Sequence, residues 1–200
     1  MENNNNQIND NSSLKKTKIK KFFDDAWDLI KFAIIALVIV IPIRMFVAQP
    51  FVVSGESMFP TFHDGEYLIV DEFSYITGDP KRGDVIVFRY PGDTKRFFIK
   101  RIIGMPNEEI IINDGKIVII NQENKDDLTL DEPYVKENFN TSSTFKTKDK
   151  EYFVMGDNRN KSSDSRTWGM LPNKLIVGRA FIRLLPFKEI SYLPGSHEQK

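Results

Sequence analysis

Two hydrophobic patterns divide this chain. From Trp27 to Val47 the residues are apolar with few breaks, WDLIKFAIIALVIVIPIRMFV, and no polar face separates out. A helix that is apolar all round predicts a membrane span rather than the one-sided helix of a soluble core. The charge-free centre, FAIIALVIVIPI, has twelve residues between Lys31 and Arg44. It would span only about 18 Å of a hydrocarbon layer about 30 Å thick. Lys31 and Arg44 lie near its two ends, where long cationic side chains snorkel to the headgroups, and Trp27 suits the interface. The expectation is a single transmembrane anchor helix over residues 22–48. A cleaved signal peptide and a buried soluble helix are the alternatives. Arg44 interrupts the place where a small-x-small cleavage site would follow, and the missing polar face counts against the soluble helix.

Ahead of this segment, MENNNNQINDNSS is polar and of low complexity, and Lys15, Lys16, Lys18, Lys20 and Lys21 follow it. Residues 1–21 read as a disordered, basic tail. Lysines before the span place that tail in the cytoplasm and the rest of the chain outside.

Beyond Gln49 the helical pattern gives way to short β-branched runs: EYLIVDE, DVIVFRY, RFFIKRII, EEIIIN, KIVIIN, EYFVMG and RAFIRLL. Asp64-Gly65, Gly78-Asp79-Pro80, Pro91-Gly92 and Asp114-Gly115 punctuate them. Short strands between such turns predict a mainly β fold, an antiparallel sandwich or barrel, over residues 49–194, with a tail at 195–200. IINDGKIVII reads as a hairpin, since Asp-Gly supplies the positive φ angles of a type I′ turn. Residues 121–150 are polar and read as a surface excursion.

Composition narrows the chemistry. Lys+Arg and Asp+Glu are 28 each, so no basic surplus supports a general nucleic-acid binder. There are no cysteines and two histidines, His63 and His197, which removes thiol nucleophiles, disulfides and Cys-zinc sites and leaves too few histidines for a multi-His metal centre. No cofactor or metal is expected. Nucleophilic chemistry must use Ser, Thr, Lys or carboxylates.

Four patches invite such chemistry. In QPFVVSGESMFPTF, Ser57 sits between a strand-like run and a Gly/Pro turn that would expose its hydroxyl, although most such serines are plain turn residues. Arg82-Gly83-Asp84 reads as a turn. In FFIKRIIG, Lys100 lies inside an apolar strand, sharing a face with Phe98 and Ile102, while Arg101 faces the other way with Ile99 and Ile103. A lysine there is either functional or an edge-strand guard against aggregation. In MGDNRNKSSDSRTWG, hydrogen-bonding side chains crowd one loop beside an apolar strand, the composition of a buried polar network.

Together, in this order, these patches resemble the type I signal peptidases, the membrane-anchored Ser/Lys proteases that remove signal peptides from exported proteins. The resemblance runs from about residue 25 to 185 and fits the short, single-anchor form. It implies that Ser57 is the nucleophile, Lys100 the general base and Ser162 the hydroxyl that orients the lysine. Asp157, Arg159, Asp164 and Arg166 match the family's polar support, and Met58 and Pro60 match its nucleophile turn. Pro50, Phe51, Val53, Ile99 and Met58 match its substrate-binding strand and pockets, with Phe62 a weaker match. The partners implied are preproteins cut after an Ala-x-Ala junction, the lipid bilayer of the cell membrane and the secretion translocon; nucleic acid is not among them.

Some positions depart from the family. Asn160 and Lys161 stand where Asp-Asn is frequent. Gly55 stands where some members carry a serine that helps form the oxyanion hole, so the second donor is left open. A free lysine has a pKa of about 10.4, and neutralising it at pH 7 costs about 4.6 kcal/mol, so Lys100 serves as a base only if burial lowers that value. His63 is the rival base; His197 lies in the charged tail. Two other functions remain open to such a chain: a self-cleaving Ser/Lys regulator of the repressor type, against which the apolar segment argues, and an inactive anchored homologue that binds peptides or assists export.

Overall fold

The computed structural model describes residues 26–40, 48–121 and 127–197, in two compact units, Met1–Met45 and Phe46–Lys200. The expected basic tail and both ends of the expected anchor, 22–25 and 41–47, lie outside the described residues. In the first unit, residues 26–40 form helix α1, about 22 Å long. Its apolar side chains, among them Phe32, Leu37 and Val38, are exposed. Among the described residues no helix is long and apolar enough to cross a membrane.

The second unit is mainly antiparallel β-sheet. Its strands are β1 (Ala48–Val52), β2 (Tyr67–Asp71), β3 (Val85–Tyr90), β4 (Asp93–Gly104), β5 (Glu108–Asn113), β6 (Lys116–Asn121), β7 (Leu128–Thr129), β8 (Ser143–Lys146), β9 (Glu151–Met155), β10 (Leu171–Pro172), β11 (Ile176–Leu185) and β12 (Ser191–Tyr192). Two single-turn helices, α2 (Ser74–Thr77) and α3 (Ser165–Trp168), join them. The larger sheet runs β1-β2-β11-β3-β4-β9-β10, with β12 on β11; the smaller runs β7-β6-β5-β8. Each β-branched run in the sequence is one of these strands. The hairpin between β5 and β6 turns at Asp114 (φ 47°) and Gly115 (φ 78°), so that Asn113 pairs with Lys116.

The larger sheet is strongly curled. Four strand spacings separate β1 from β4, roughly 19 Å if the sheet were flat. Yet the rings of Phe51 on β1 and Phe97 on β4 lie 5.3 Å apart. Two strand edges therefore face each other across a gap. β1 ends the sheet, and β4 pairs with β9 only from Arg101 onward, leaving its 93–100 stretch paired on one side alone.

The polar stretch 121–150 is not simply a surface excursion. Residues 122–126 lie outside the described residues, but β7 and β8 join the smaller sheet. Leu130 and Phe139 are buried with Ile110, Ile112, Ile117, Ile119 and Phe153 in its core. Leu128, Val135 and Phe145 pack against the same core, and together these side chains dock the segment by leaving water.

Candidate active site

Ser57 lies in a loop, residues 54–65, closed at its neck by Val53 N–H to Glu66 O and Gly65 N–H to Val53 O, both 2.9 Å. Met58 and Phe62 pull the loop onto the core, 1% and 0% exposed, with Phe62 N–H donating to Met58 O. Ser57, one residue before Met58, is left half-buried at a cleft of about 460 Å³. That volume is ordinary for a small-ligand or peptide site.

Lys100 reaches the same cleft from β4, only 4% exposed. Its Nζ lies 2.7 Å from Ser57 Oγ and 2.8 Å from Ile99 O. Burial among apolar neighbours lowers its pKa to about 8, while the carboxylates of Asp164 and Asp157 pull the other way. At pH 7 a group of that pKa is neutral about one-tenth of the time, so the deprotonation cost falls to about 1.4 kcal/mol. Protonated, the ammonium donates to Ser57 Oγ; neutral, it accepts the Ser57 proton.

The last patch is a buried polar network around this pair. Asp157 takes Arg101 in two hydrogen bonds and Thr61 Oγ1 in a third. Arg159 is paired with Glu132 and donates to Gly156 O. Asp164 caps α3, pairs with Arg166 and accepts Gly156 N–H. Asn158 N–H donates to Ser57 O at 3.1 Å, which ties the network to the nucleophile loop. Lys161 meets Glu56 at 2.8 Å, and Asn160 binds Glu137 and Asn138 O.

The structure does not join Ser162 to Lys100: Ser162 Oγ is buried without a hydrogen-bond partner among the described residues, and the second bond of Lys100 goes to Ile99 O. Ser162 instead packs on Gly156, whose other neighbour is Ser57 O. Phe51, Val53 and Ile99 line the cleft. Met58 does not; it is turned into the core because it anchors the loop from beneath. Pro50 is exposed on β1 outside the lining.

His63 lies away from Ser57, lining another pocket with Tyr67, Phe187 and Glu189. There His63, Glu66 and Glu189 converge, but Arg183 already sits between the two carboxylates, at 3.2 Å from Glu66 and 3.0 Å from Glu189. Its guanidinium supplies the positive charge that this cluster calls for.

Several site residues escape the sequence reading. Arg101 has a signal, since a charge on the inward face of an apolar strand requires a partner. Glu132 has none, being one acid among many in a polar stretch. Ser54, Ser163, Arg96 and Phe97 line the cleft through the curl of the sheet.

A hydroxyl touching a dry amine of lowered pKa is the arrangement of an activated nucleophile with its own base. The family model described as signal peptidase, peptidase S26, matches residues 26–185. A probable signal peptidase I-1 of Synechocystis sp. is 36% identical over 173 residues, covering 80% of this chain and 85% of that one. Signal peptidase I P of Bacillus subtilis subsp. natto is 36% identical over 178 residues, 82% of this chain and 92% of that one. A crystal structure of a signal peptidase I from Enterococcus faecalis aligns with 51% of this chain and 97% of that one, at 28% identity and a TM-score of 0.44. The chain belongs to the signal peptidase family, peptidase S26, and is a serine protease.

Proposed function

We propose that this protein removes signal peptides from exported preproteins, with Ser57 as nucleophile and Lys100 as general base. The contact between Lys100 Nζ and Ser57 Oγ at 2.7 Å, inside a cleft that keeps the amine dry, carries this reading. Lys100 takes the Ser57 proton as Oγ attacks the scissile carbonyl, and hands it to the departing amine as the acyl-enzyme ester forms. It then takes a proton from the water that attacks the ester and returns it to Ser57 Oγ as the acyl–oxygen bond breaks. The Ser57 N–H, which has no acceptor among the described residues, is the donor available to the developing oxyanion. Asp157, Arg159, Asp164 and Arg166 hold the loop that backs Ser57. Ser162, with its buried and unpaired hydroxyl, is the group that aims the neutral amine once the protonated form gives way.

The two facing edges of β1 and β4 suit an extended peptide, which would hydrogen-bond to both and complete the curl. Phe51, Val53 and Ile99 wall the side-chain positions, and small residues near the cut, as at an Ala-x-Ala junction, suit this apolar wall. The exposed apolar face of α1 and the apolar residues that continue to Val47 support an anchor in the cell membrane, single-pass, with the N-terminus cytoplasmic and the β unit outside. There it meets preproteins as they leave the translocon.

The test is cleavage of a preprotein with an Ala-x-Ala junction by the detergent-solubilised full chain, beside Ser57→Ala and Lys100→Ala. Cutting after the junction by wild type, with at least about a 10³-fold loss in each variant, supports the pair. Loss in Ser57→Ala alone moves the base elsewhere. A wild type silent on several preproteins favours a peptide-binding homologue without activity.

A further inference from the structure

We propose that Asp64 is a positioning residue for the nucleophile, holding the turn before Ser57 through the Gly55 N–H; this rests on the reading of Ser57 above. Gly55 has φ +86°, a backbone conformation open to glycine and strained for other residues. Packing does not hold it there: outside its chain neighbours, no heavy atom lies within 4 Å of where its Cβ would sit. Its N–H is instead donated to Asp64 Oδ1 at 2.7 Å, across the base of the 54–65 loop.

Asp64 is itself well placed to act as a fixed post. It precedes Gly65, whose N–H is bonded to Val53 O, and Val53 N–H is bonded in turn to Glu66 O. These two bonds continue the β1–β2 ladder one step past the pairing of Val52 with Tyr67. The carboxylate thus projects from the end of a ladder onto the one permissive residue between that ladder and Ser57. With the Gly55 N–H engaged by Asp64, the backbone from Gly55 to Ser57 is held in one orientation, which keeps Ser57 Oγ against Lys100. Without the acceptor, Gly55 samples its wide φ range and carries Ser57 with it.

Both partners are exposed, so water can replace Asp64 as acceptor at little cost to the fold. Stability and positioning are therefore separable. Asp64→Ala is expected to lower kcat by about 10- to 100-fold, the scale set by small misplacement of a reacting group. KM stays near wild type, and the thermal midpoint moves by less than about 2 °C. Asp64→Asn, whose amide oxygen accepts the same N–H, restores most of kcat. The measurements are steady-state cleavage of a signal-peptide substrate by the full chain in detergent, thermal unfolding, and the backbone amide NMR spectrum. In that spectrum, loss of the Gly55 hydrogen bond in Asp64→Ala shifts residues 54–57 selectively.

A wild-type kcat in Asp64→Ala overturns the proposal, as does an Asp64→Asn variant as impaired as Asp64→Ala. A midpoint that falls in step with kcat also overturns it, since the role is then structural. If wild type does not cleave at all, the reading of Ser57 fails instead. The amide shifts then judge Asp64 alone, and an unchanged Gly55 signal in Asp64→Ala overturns it.

Discussion

Arg101 and Asp157 form a fully enclosed ion pair, with Nε 2.8 Å from Oδ1 and Nη2 2.6 Å from Oδ2 and both side chains 0% exposed. The pair is also a joint. Arg101 follows Lys100 on β4, and Asp157 accepts Thr61 Oγ1, four residues after Ser57, at 2.5 Å. Tyr134 stacks on the guanidinium at 3.8 Å, and Gly83 O and Gly195 O accept from its Nη1. The strand that carries Lys100 and the loop that carries Ser57 thus meet on one carboxylate.

Breaking that joint strands a buried charge. Asp157→Ala is expected to cost about 3–5 kcal/mol of stability, read from chemical denaturation. Replacing both partners, Asp157→Leu with Arg101→Met, recovers part of that loss because no lone charge is left behind. A single variant as stable as wild type would mean that water enters and solvates Arg101.

Lys100 carries a pH signature. Its folded pKa is about 8 against 10.5 for the ordinary side chain. Between those values the unfolded chain binds the proton that the folded chain does not, so stability rises with pH from about 8 to about 10.5. Below pH 8 the full penalty of the buried charge is present, about 3 kcal/mol. Lys100→Met is therefore expected to abolish cleavage yet exceed wild type in stability near neutral pH, with the gap closing as pH approaches 10.5. The kcat/KM of wild type should climb with an apparent pKa of about 8. Denaturant melts and a pH–rate profile check both, and a flat profile over pH 6 to 9 removes Lys100 as the base.

Gly156 is a contact point that only a hydrogen can fill. A Cβ built there would come within 3.0 Å of both Ser162 Oγ and Ser57 O. Gly156→Ala must push the Ser57 loop away from the Ser162 segment, with an overpacking cost of about 1–3 kcal/mol. Activity is expected to fall further than stability, because the displaced atom belongs to Ser57. Thermal unfolding and cleavage rates measured together check this; an active Gly156→Ala would show that the loop yields without moving Oγ.

The sequence reading succeeded where the pattern is local. EYLIVDE, DVIVFRY and EEIIIN announce strands because alternation and β-branching are properties of neighbours in the chain. Asp114-Gly115 announces its turn because the φ requirement belongs to those two residues. What stayed hidden depends on the curl of the larger sheet. No local signal shows that Phe51 and Phe97 touch, that Arg101 finds Asp157, or that Glu132 closes on Arg159 from a stretch whose strands are two and four residues long. The resemblance drew attention to Ser57 and Lys100 across 43 residues. It did not foresee Met58 shut off from the cleft or Ser162 unpaired beside Gly156.

The same curl sets the outer limit of the cleft. Phe51 and Phe97 meet edge to face at 61°, and the Arg89 guanidinium lies over Phe97 at 4.7 Å, directly opposite in the β3–β4 register. Phe97 precedes Lys100 by three residues, about 10 Å along the strand. On the proposed mechanism, an extended peptide running parallel to β4 meets this aromatic pair two to three residues before the scissile bond. Phe97 is 40% exposed, so its truncation removes little from the core. Phe97→Ala is expected to raise KM for an Ala-x-Ala peptide while leaving kcat nearly unchanged, and to relax the discrimination against peptides that carry Val, Leu or Phe in place of Ala at the third position before the cut. Steady-state kinetics on that series provides the test. If Phe97→Ala keeps both the wild-type KM and the wild-type ranking, bound peptides do not reach the aromatic pair, and the cleft between β1 and β4 is occupied only near Ser57.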